Sequence, residues 1–484
     1  MIQMLIHLLF VTFVTAAQFC IFDTENPTTC SFRDITDSTH LFRILSNNPV
    51  TSNIKKIYFQ RTTLTHLPKE LTIAYTALDE LDASYVYLWR FTNIDFAQTT
   101  KFKKLNMSHN QIHRVSSFAS NGMINLENLD LSHNMIQSID NDGIVYNENL
   151  KYLNLSDNRI GKLDRNFFKN IRSVKILNLS NNKISSLSCE TCDFEMSFEE
   201  FYLQNNQLIS FNPDFIKSTF IFDVSNNAIT GEIDFSNSKL IELNIRGNAL
   251  QYLTINDDLE MLDASDNTER SFDISFGNNK KLISLALANL DIVHYENIFA
   301  GLHQFEKLLN LDLSENNLEF FDLKAHNLPQ SLQTFNLRRT DLHSLLNWKS
   351  LYSILPNLKE INIVDNYFSC SELPSILESL QEFNVNISGL SAANDKNKFV
   401  QQNCAADSHR KRNHSKGACV QKSSNNTILW ILLIICLSGY FIGAVIYANK
   451  VYNFIEKFKS INVPSMTVSP NNQSRNLIEE QDEV

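Results

Sequence analysis

The sequence predicts an α/β repeat protein, a horseshoe-shaped solenoid whose stacked units form a concave parallel β-sheet. Disulfide caps are expected to close the repeated region, and one transmembrane helix is expected to follow it. Three observations predict this architecture: an apolar motif recurs about every 24 residues, cysteines flank the repeats, and 20 uncharged residues run from Ile428 to Tyr447. About 20 apolar residues are enough to cross a bilayer as a helix.

The composition is typical of a folded chain and limits the classes of function. Of the 484 residues, 43% are hydrophobic and 20% are charged, which excludes a wholly disordered protein. The formal net charge of −11 argues against a sequence-independent nucleic-acid binder, because such a protein needs a basic surface.

The repeated motif reads L-x-x-L-x-L-x-x-N, as at residues 126–134 and 150–158. Fourteen units fit this frame, and their spacing is 24 residues six times and 19 to 26 residues thereafter. We call the last position of the motif the anchor. The anchors are Thr62, Val86, Asn110, Asn134, Asn158, Asn182, Asn206, Asn227, Asn248, Asn267, Leu290, Asn316, Thr340 and Asn366.

Each unit is expected to form one short strand, because its leucines alternate and so share one face. Stacking the units buries that face as a continuous core. The amide of an anchor Asn can donate to and accept from buried backbone groups of adjacent turns. Anchors of another type predict interruptions of this ladder, at Thr62, Val86, Leu290 and Thr340. Phe168 and Phe299 are expected to fill the returning segments.

The segments outside the repeats predict secretion and a single membrane span. An apolar run from Leu5 to Val14 precedes three small residues, as in a cleavable signal peptide. Basic residues flanking the span number five before it and three after it, against the positive-inside rule, but long N-terminal domains translocate largely regardless of charge. We therefore expect a plasma-membrane protein with its N-terminal bulk outside. The predicted order is signal peptide 1–17, N-terminal cap 18–53, about 14 repeats at 54–368, C-terminal cap 369–405, stalk 406–427, transmembrane helix 428–448 and cytoplasmic tail 449–484.

Seven cysteines lie outside the predicted span, an odd number for an oxidising compartment. Cys20 and Cys30 predict a stapled N-terminal cap. The Cys189-Glu-Thr-Cys192 segment predicts a local staple, since no βαβ pattern of a redox motif surrounds it. Cys419 is the first candidate for an intermolecular disulfide or a free thiol, and Cys404 is the second. Without fixing their connectivity, the predicted disulfide cysteines are Cys20, Cys30, Cys189, Cys192, Cys370 and Cys404.

The strand residue between the two core leucines of each unit is predicted to face the concave surface. Five of the fourteen central residues are Asp, and no two Asp are neighbours. Asn between them avoids repulsion at a strand spacing of ~4.8 Å and can donate to the adjacent carboxylate. The sequence leaves open whether this polar row binds a ligand or only serves the fold.

Predicted glycosylation sites suggest where a ligand would bind. Our hypothesis is that glycans on the first three sites shield the early units, which leaves the later units for the ligand. The predicted sites are Asn106, Asn154, Asn178, Asn386, Asn413 and Asn425. The predicted ligand-binding residues are Tyr202, Arg246, Asp263, Asp312 and Arg338.

The sequence predicts no enzyme activity, cofactor or metal site. The H-E-x-x-H, G-x-S-x-G and P-loop motifs are absent, and the twelve His are scattered. The predicted tail after Ala448 is only 36 residues long, too short for a signalling domain.

The units, cysteine caps, stalk and single span resemble the extracellular leucine-rich-repeat single-pass receptor superfamily. The segments Cys20-x9-Cys30 and Asn366-Tyr-Phe-Ser-Cys370-x2-Leu373 resemble insect leucine-rich-repeat immune proteins, here in a membrane-anchored form. The resemblance implies protein or microbial ligands and disulfide-linked homo- or heterodimers. The double-cysteine and coiled-coil region of the secreted insect proteins is missing here.

Two functions follow from these patterns. The first is a recognition receptor of innate immunity that signals through a partner. The alternative is a cell-adhesion or developmental guidance protein. Fourteen strands at ~4.8 Å would give a face of roughly 65 Å, which suits a macromolecule rather than a small metabolite.

Overall fold

The computed structural model describes residues 21–22, 26–35, 53–67, 71, 74–91, 101–116, 123–140, 143–144, 148–188, 196–216, 218–267, 272–290, 295–390 and 396–405. The chain divides into two units, Met1–Arg410 and Lys411–Val484, and the described residues belong to the first. The predicted signal peptide, stalk, transmembrane helix and tail lie outside them. Within the described ranges, no helix is both long and apolar enough to cross a membrane.

One sheet of seventeen strands runs through the described residues. Its first two strands pair antiparallel, and each later strand pairs in parallel with the strand of the next unit. The strands are Ile21–Phe22, Thr29–Arg33, Lys56–Gln60, Glu80–Asp82, Lys104–Asn106, Asn128–Asp130, Tyr152–Asn154, Ile176–Asn178, Glu200–Tyr202, Ile221–Asp223, Glu242–Asn244, Met261–Asp263, Ser284–Ala286, Asn310–Asp312, Thr334–Asn336, Glu360–Asn362 and Asn386–Ile387. The solenoid with a parallel sheet is therefore as the repeat predicts.

The returning segments differ from unit to unit, in keeping with their unequal lengths. Small parallel sheets pair Arg114–Val115 with Ser138–Ile139, Lys162–Asp164 with Ser186–Ser188, Thr230–Asp234 with Ala249–Thr254 and then Asp273–Ser275, Phe320–Asp322 with Ser344–Leu346, and Phe368–Ser369 with Cys404–Ala405. The α-helices are Arg165–Asn170, Tyr295–Leu302, Leu351–Ile354, Leu373–Glu382 and Lys396–Asn403, and the 3-10 helices are Pro213–Ile216 and Trp348–Ser350.

Buried anchor asparagines join the turns of the solenoid. The Nδ2 of Asn158 lies 2.9 Å from the carbonyl oxygen of Leu131 in the preceding unit and 3.1 Å from that of Leu155 in its own unit. Its Oδ1 accepts from the backbone N–H of Ile136 in the preceding unit at 2.9 Å. One side chain therefore satisfies backbone groups of two units. The same arrangement recurs at Asn110, Asn134, Asn182, Asn206, Asn227, Asn248, Asn267, Asn316 and Asn366.

The predicted interruptions of this ladder are only partial. At Val86 the backbone takes over part of the role, since the carbonyl oxygen of Val86 accepts from the amide of Leu64 in the preceding unit at 2.7 Å. Thr340 uses its hydroxyl instead, which donates to the carbonyl oxygen of Leu337 at 2.7 Å.

The residue before each anchor turns the chain out of the strand in a left-handed conformation. Its φ is 54° at Asp157, 55° at Asn181 and 68° at Gly247. Asp, Asn and Gly tolerate this conformation better than other residues, because their side chains are short and polar or absent.

The core lies between the main sheet and the returning segments. Leu129 and Leu131 are fully buried, as are the equivalent leucines of most units. Phe168 is also fully buried and packs on Phe215 with ring centroids 4.8 Å apart. Phe299 is 3% exposed. The two phenylalanines therefore fill the returning segments as predicted.

A disulfide and a helix cover the C-terminal end of the described repeats. Cys370 and Cys404 are bonded, with Cα atoms 4.9 Å apart. The helix Leu373–Glu382 buries Leu373, Ile376, Leu377 and Leu380 against the core. At the other end Cys30 is fully buried and disulfide-bonded. The remaining predicted disulfide cysteines, Cys20, Cys189 and Cys192, and the intermolecular candidate Cys419 lie outside the described residues.

We predict that Asn158→Ala lowers the free energy of unfolding by about 3 kcal/mol or more, because it leaves several buried backbone groups without partners. Urea unfolding of the purified chain measures this change. The control is Arg159→Ala at the exposed neighbouring position, where we expect a change within about 0.5 kcal/mol. Equal effects of the two substitutions would contradict the ladder's role.

Stability should also fall in mild acid because of His326. This ring packs on Phe299 and Phe321, with centroids 4.3 and 4.7 Å away. Burial holds the pKa of His326 below its ordinary value of 6.5. The unfolded chain therefore takes up this proton at a higher pH than the folded chain, and stability that is complete above pH 6.5 is lost as the pH falls through the lowered pKa.

We expect the thermal midpoint to fall less between pH 7.5 and pH 5 in His326→Phe than in the wild type. The matched control is His113→Gln at an exposed position, which should keep the wild-type pH dependence. An unchanged pH dependence in His326→Phe would sink the prediction.

Candidate binding face

The central strand residues form one row on the side of the main sheet that faces away from the core. The strand register aligns Asp263 with Ala286 and Ala286 with Asp312, one unit apart in each case. We call this row the sheet face. It consists of Tyr58, Asp82, Asn106, Asp130, Asn154, Asn178, Tyr202, Asp223, Asn244, Asp263, Ala286, Asp312, Asn336 and Asn362.

The Asp and Asn of the sheet face also shape the turn that ends each strand. The Oδ1 of Asp312 accepts from the backbone N–H two residues later, that of Ser314, at 2.8 Å. This Asx-turn is a common way for such a side chain to stabilise a bend. One oxygen of each side chain is therefore held by the fold, and the other polar atom of that side chain is free of the turn bond. The same bond is made by Asp82, Asn106, Asp130, Asn154, Asn178, Asp223, Asn244, Asp263, Asn336 and Asn362.

Sequence reasoning missed these turns but was right about the Asn spacers. The Nδ2 of Asn154 donates to Asp130 at 3.3 Å, and the Nδ2 of Asn244 donates to Asp223 at 3.2 Å. The signal for the turn was the Ser that follows many central residues by two positions, which was not used.

Tyr202 is held by an acid on its own strand. Its hydroxyl donates to Glu200 Oε2 at 2.8 Å. Burial raises the pKa of Tyr202 to about 12, and the hydrogen bond to Glu200 adds to the rise. The phenol therefore stays neutral at physiological pH.

Arg246 and Asp263 are brought together, with Asp266 as a third member. Arg246 Nη2 lies 2.5 Å from Asp266 Oδ2, and its Nη1 lies 3.9 Å from Asp263 Oδ2. The three side chains remain about a third to a half exposed. This cluster presents a fixed guanidinium beside two carboxylates.

Ala286 separates this cluster from Asp312. Its methyl group is shorter than the side chains of the two flanking aspartates, so the surface of the sheet face is recessed at this position. Asp312 makes no ion pair with any described residue, so its second oxygen is available to a ligand.

Arg338 belongs to a network at the later units. Its Nε and Nη2 donate to Asp365 Oδ2 at 3.0 and 2.9 Å. Arg339 joins the same carboxylate at 3.2 Å and reaches Glu315 at 3.3 Å. Exposed pairs of this kind add little to stability, so they mainly fix where the charges stand.

The predicted ligand residues thus form a strip and not a pocket. From Tyr202 to Arg338 the strip crosses seven strands, roughly 29 Å at ~4.8 Å each. Among the described residues no group of three or more His, Cys, Asp or Glu could hold a metal ion.

The predicted glycosylation sites differ in exposure. Asn106, Asn154 and Asn178 are half-buried on the sheet face, and Asn386 is exposed at its last strand. Asn413 and Asn425 lie outside the described residues.

Three-residue parallel strands, one per unit of about 24 residues and joined by a buried Asn ladder, decide the architecture. The fold is a leucine-rich-repeat solenoid. A sequence model described as leucine rich repeat matches residues 100–160 and 148–208. No curated protein matches the sequence.

Solved leucine-rich-repeat structures share this fold. The TLR13 chain in its complex with ssRNA13 is 19% identical with a TM-score of 0.56, over 74% of this chain and 54% of that chain. The LRIM1/APL1C complex gives 17% identity and a TM-score of 0.50, over 91% and 78%. The Toll–Spatzle complex of Drosophila gives 19% and 0.50, over 66% and 48%. This chain therefore spans about half the length of the TLR13 and Toll chains.

The two roles of a sheet-face aspartate can be separated by substitution. We predict that Asp312→Asn, which keeps the Asx-turn, changes the free energy of unfolding by less than about 0.5 kcal/mol. Asp312→Ala removes the acceptor of the Ser314 amide and should cost about 1 kcal/mol. Thermal unfolding of both variants measures the difference. Equal stability of the two would show that the turn bond contributes nothing.

Proposed function

We propose that this protein is a single-pass receptor of the plasma membrane. Its leucine-rich-repeat region lies outside the cell and binds a protein or microbial ligand in innate immunity. It signals through a partner. It acts as a binding scaffold and not as a catalyst.

One observation carries this proposal. The sheet face is a single row of polar side chains whose positions are fixed by register, turn bonds and ion pairs before any ligand arrives. Such pre-ordering reduces the conformational entropy that the side chains lose on binding. A strip of this length and chemistry suits a macromolecule with complementary polar groups.

The ligand is expected on the later units of the sheet face. Charged side chains of both signs lie there and are partly exposed. They are Arg246, Asp263, Asp312 and Arg338. Glycans on Asn106, Asn154 and Asn178 would keep the earlier units free of protein ligands.

Solved proteins of this fold support a role in recognition. TLR13 was solved with RNA, Toll with Spatzle, and LRIM1 with APL1C, and Toll is described as a hub in development and innate immunity. By analogy we propose a membrane-anchored immune protein of the insect type. We propose further that Cys419 forms the intermolecular bond of a disulfide-linked homo- or heterodimer.

The full-length chain in its native cells provides the test. We expect an antibody against the N-terminal region to label intact cells, and expression to rise after microbial challenge. Crosslinking followed by non-reducing electrophoresis should then give a complex with the partner. An unglycosylated chain in the cytosol would sink the proposal, and clustering at contacts of unchallenged cells without induction would favour adhesion.

Substitutions on the sheet face should weaken that complex. We predict that Asp312→Asn combined with Arg338→Gln reduces the crosslinked complex at least tenfold, because one charge of each sign is removed from the ligand strip. The matched control is Asp258→Asn with Lys281→Gln, an exposed ion pair away from the sheet face. Equal yields from the two double variants would place the ligand elsewhere.

A further inference from the structure

The second unit exposes three large aromatic side chains within five residues. Tyr85 is 64% exposed, Tyr87 58% and Trp89 43%. They lie in the turn after the strand Glu80–Asp82, at the edge of the solenoid and not on the sheet face. Exposed apolar groups gathered in this way mark interaction sites more often than single exposed residues do.

The same edge continues as a ring stack through the next two units. Tyr85 stacks on His109 with centroids 4.2 Å apart, and His109 stacks on His133 at 4.1 Å, both pairs within 10° of parallel. Beyond them, His133 Nε2 lies 3.6 Å from Asp157 Oδ2. The guanidinium of Arg90 lies over the Trp89 ring, 3.8 Å from its centroid.

The backbone at this stack is left-handed, as it is at the residue before every anchor. The φ angles are 56° at Tyr85, 55° at His109 and 51° at His133. Equivalent positions of later units hold short polar residues such as Asp157 and Asn181, but also Glu315 and Arg339. The rings are exposed or partly exposed and lie outside the core, so core packing does not require aromatic residues here.

Exposed positive charge follows the stack, in the two units after that of His133. The positions that follow the anchors of the next units are exposed and basic, at Arg159 and Lys183. Lys162 is exposed on the same edge, in the small sheet formed with Ser186–Ser188. With Arg90, these four cations form no ion pair with any described residue, although the whole chain carries a net charge of −11.

Exposed aromatic rings suit two kinds of macromolecule. Bases of single-stranded nucleic acid bind by stacking on open ring faces. Here both faces of the His109 ring are covered, by Tyr85 and His133, and one face of Trp89 is covered by Arg90. The net charge of −11 also argues against a nucleic-acid ligand, whereas Tyr, Trp and Arg are the residues that dominate protein interfaces.

We propose that this edge is a docking surface for a protein partner that carries an acidic surface. The aromatic edge, as we call it, consists of Tyr85, Tyr87, Trp89, Arg90, His109, His133, Arg159, Lys162 and Lys183. The aromatic residues provide the anchor, and the unpaired cations select the acidic partner by charge complementarity. The aromatic edge is separate from the ligand strip on the sheet face, and the proposal holds whether or not that strip binds a ligand.

Photocrosslinking of the full-length chain in its native cells tests the proposal. The photoreactive residue p-benzoylphenylalanine is placed at Tyr87, and in a control chain at the exposed Glu306. We expect a protein adduct from Tyr87 only, and mass spectrometry should find the crosslink in an acidic segment of the partner. A nuclease-sensitive adduct, an adduct with a second copy of this chain, or equal yields at both positions would each overturn the proposal.

The identified partner, purified, is then measured against charge variants of the full-length chain. Arg159→Glu with Lys183→Glu should weaken binding at least tenfold and reduce its salt dependence. Lys239→Glu with Lys280→Glu makes the same charge change at exposed positions elsewhere and should leave binding unchanged. Equal affinity of the two variants would show that the cations do not recognise the partner. The Asp312→Asn, Arg338→Gln variant should bind this partner normally, which separates this test from that of the sheet face.

A last variant separates binding from folding. Replacing Tyr85, His109 and His133 together by Asn supplies the residue that suits the left-handed backbone. We expect binding of the partner to fall at least tenfold while the thermal midpoint stays at or above that of the wild type. A lowered midpoint, or unchanged binding, would mean that the stack serves the fold and would overturn the proposal.

Discussion

The hydrogen bonds of the buried anchor asparagines are the interaction on which this structure depends. A single repeat cannot satisfy the carbonyl and amide groups that its own turn buries, and the Asn of the next repeat does so. Stability is therefore shared between neighbours, as expected for a solenoid. Where the anchor is Val86, its own carbonyl oxygen accepts from the amide of Leu64 in the preceding unit, so the ladder passes over a missing side chain.

The ladder also determines what the surface can be. Because every anchor fixes the register of its strand, residues one repeat apart stand beside each other at ~4.8 Å. Charges at that spacing must be separated or paired, and the sheet face does both. Asn154 donates to Asp130, and the carboxylate of Asp263 lies 3.9 Å from the guanidinium of Arg246. The polar row is thus ordered by the same repetition that builds the core.

The fold could be predicted from the sequence because it depends on residue type at fixed spacing. The alternating leucines and the Asn give the strand, its direction and its register directly. The binding site was harder to predict, because whether a charged side chain is ion-paired depends on residues far away in the chain. Arg338 is predicted to bind a ligand, and its pairing with Asp365, 27 residues later, is not visible in the repeat motif. The Asx-turn at Asp312 was missed because it depends on backbone angles that the motif only implies.

The turn bonds have a consequence for where such a solenoid can vary. Replacing a central Asp or Asn by a residue without a side-chain acceptor removes the turn hydrogen bond at the end of the strand. Such a change on the sheet face therefore lowers the stability of the fold. The residue before each anchor must adopt a left-handed backbone, but its side chain need not bond to the backbone. The rings of His109 and His133, for example, contact each other and nearby side chains. The backbone preference is weak enough for Tyr and His to occupy these positions. Residues that bind partners can therefore vary more freely at the edge of the solenoid than on the sheet face, although the sheet face is the larger surface.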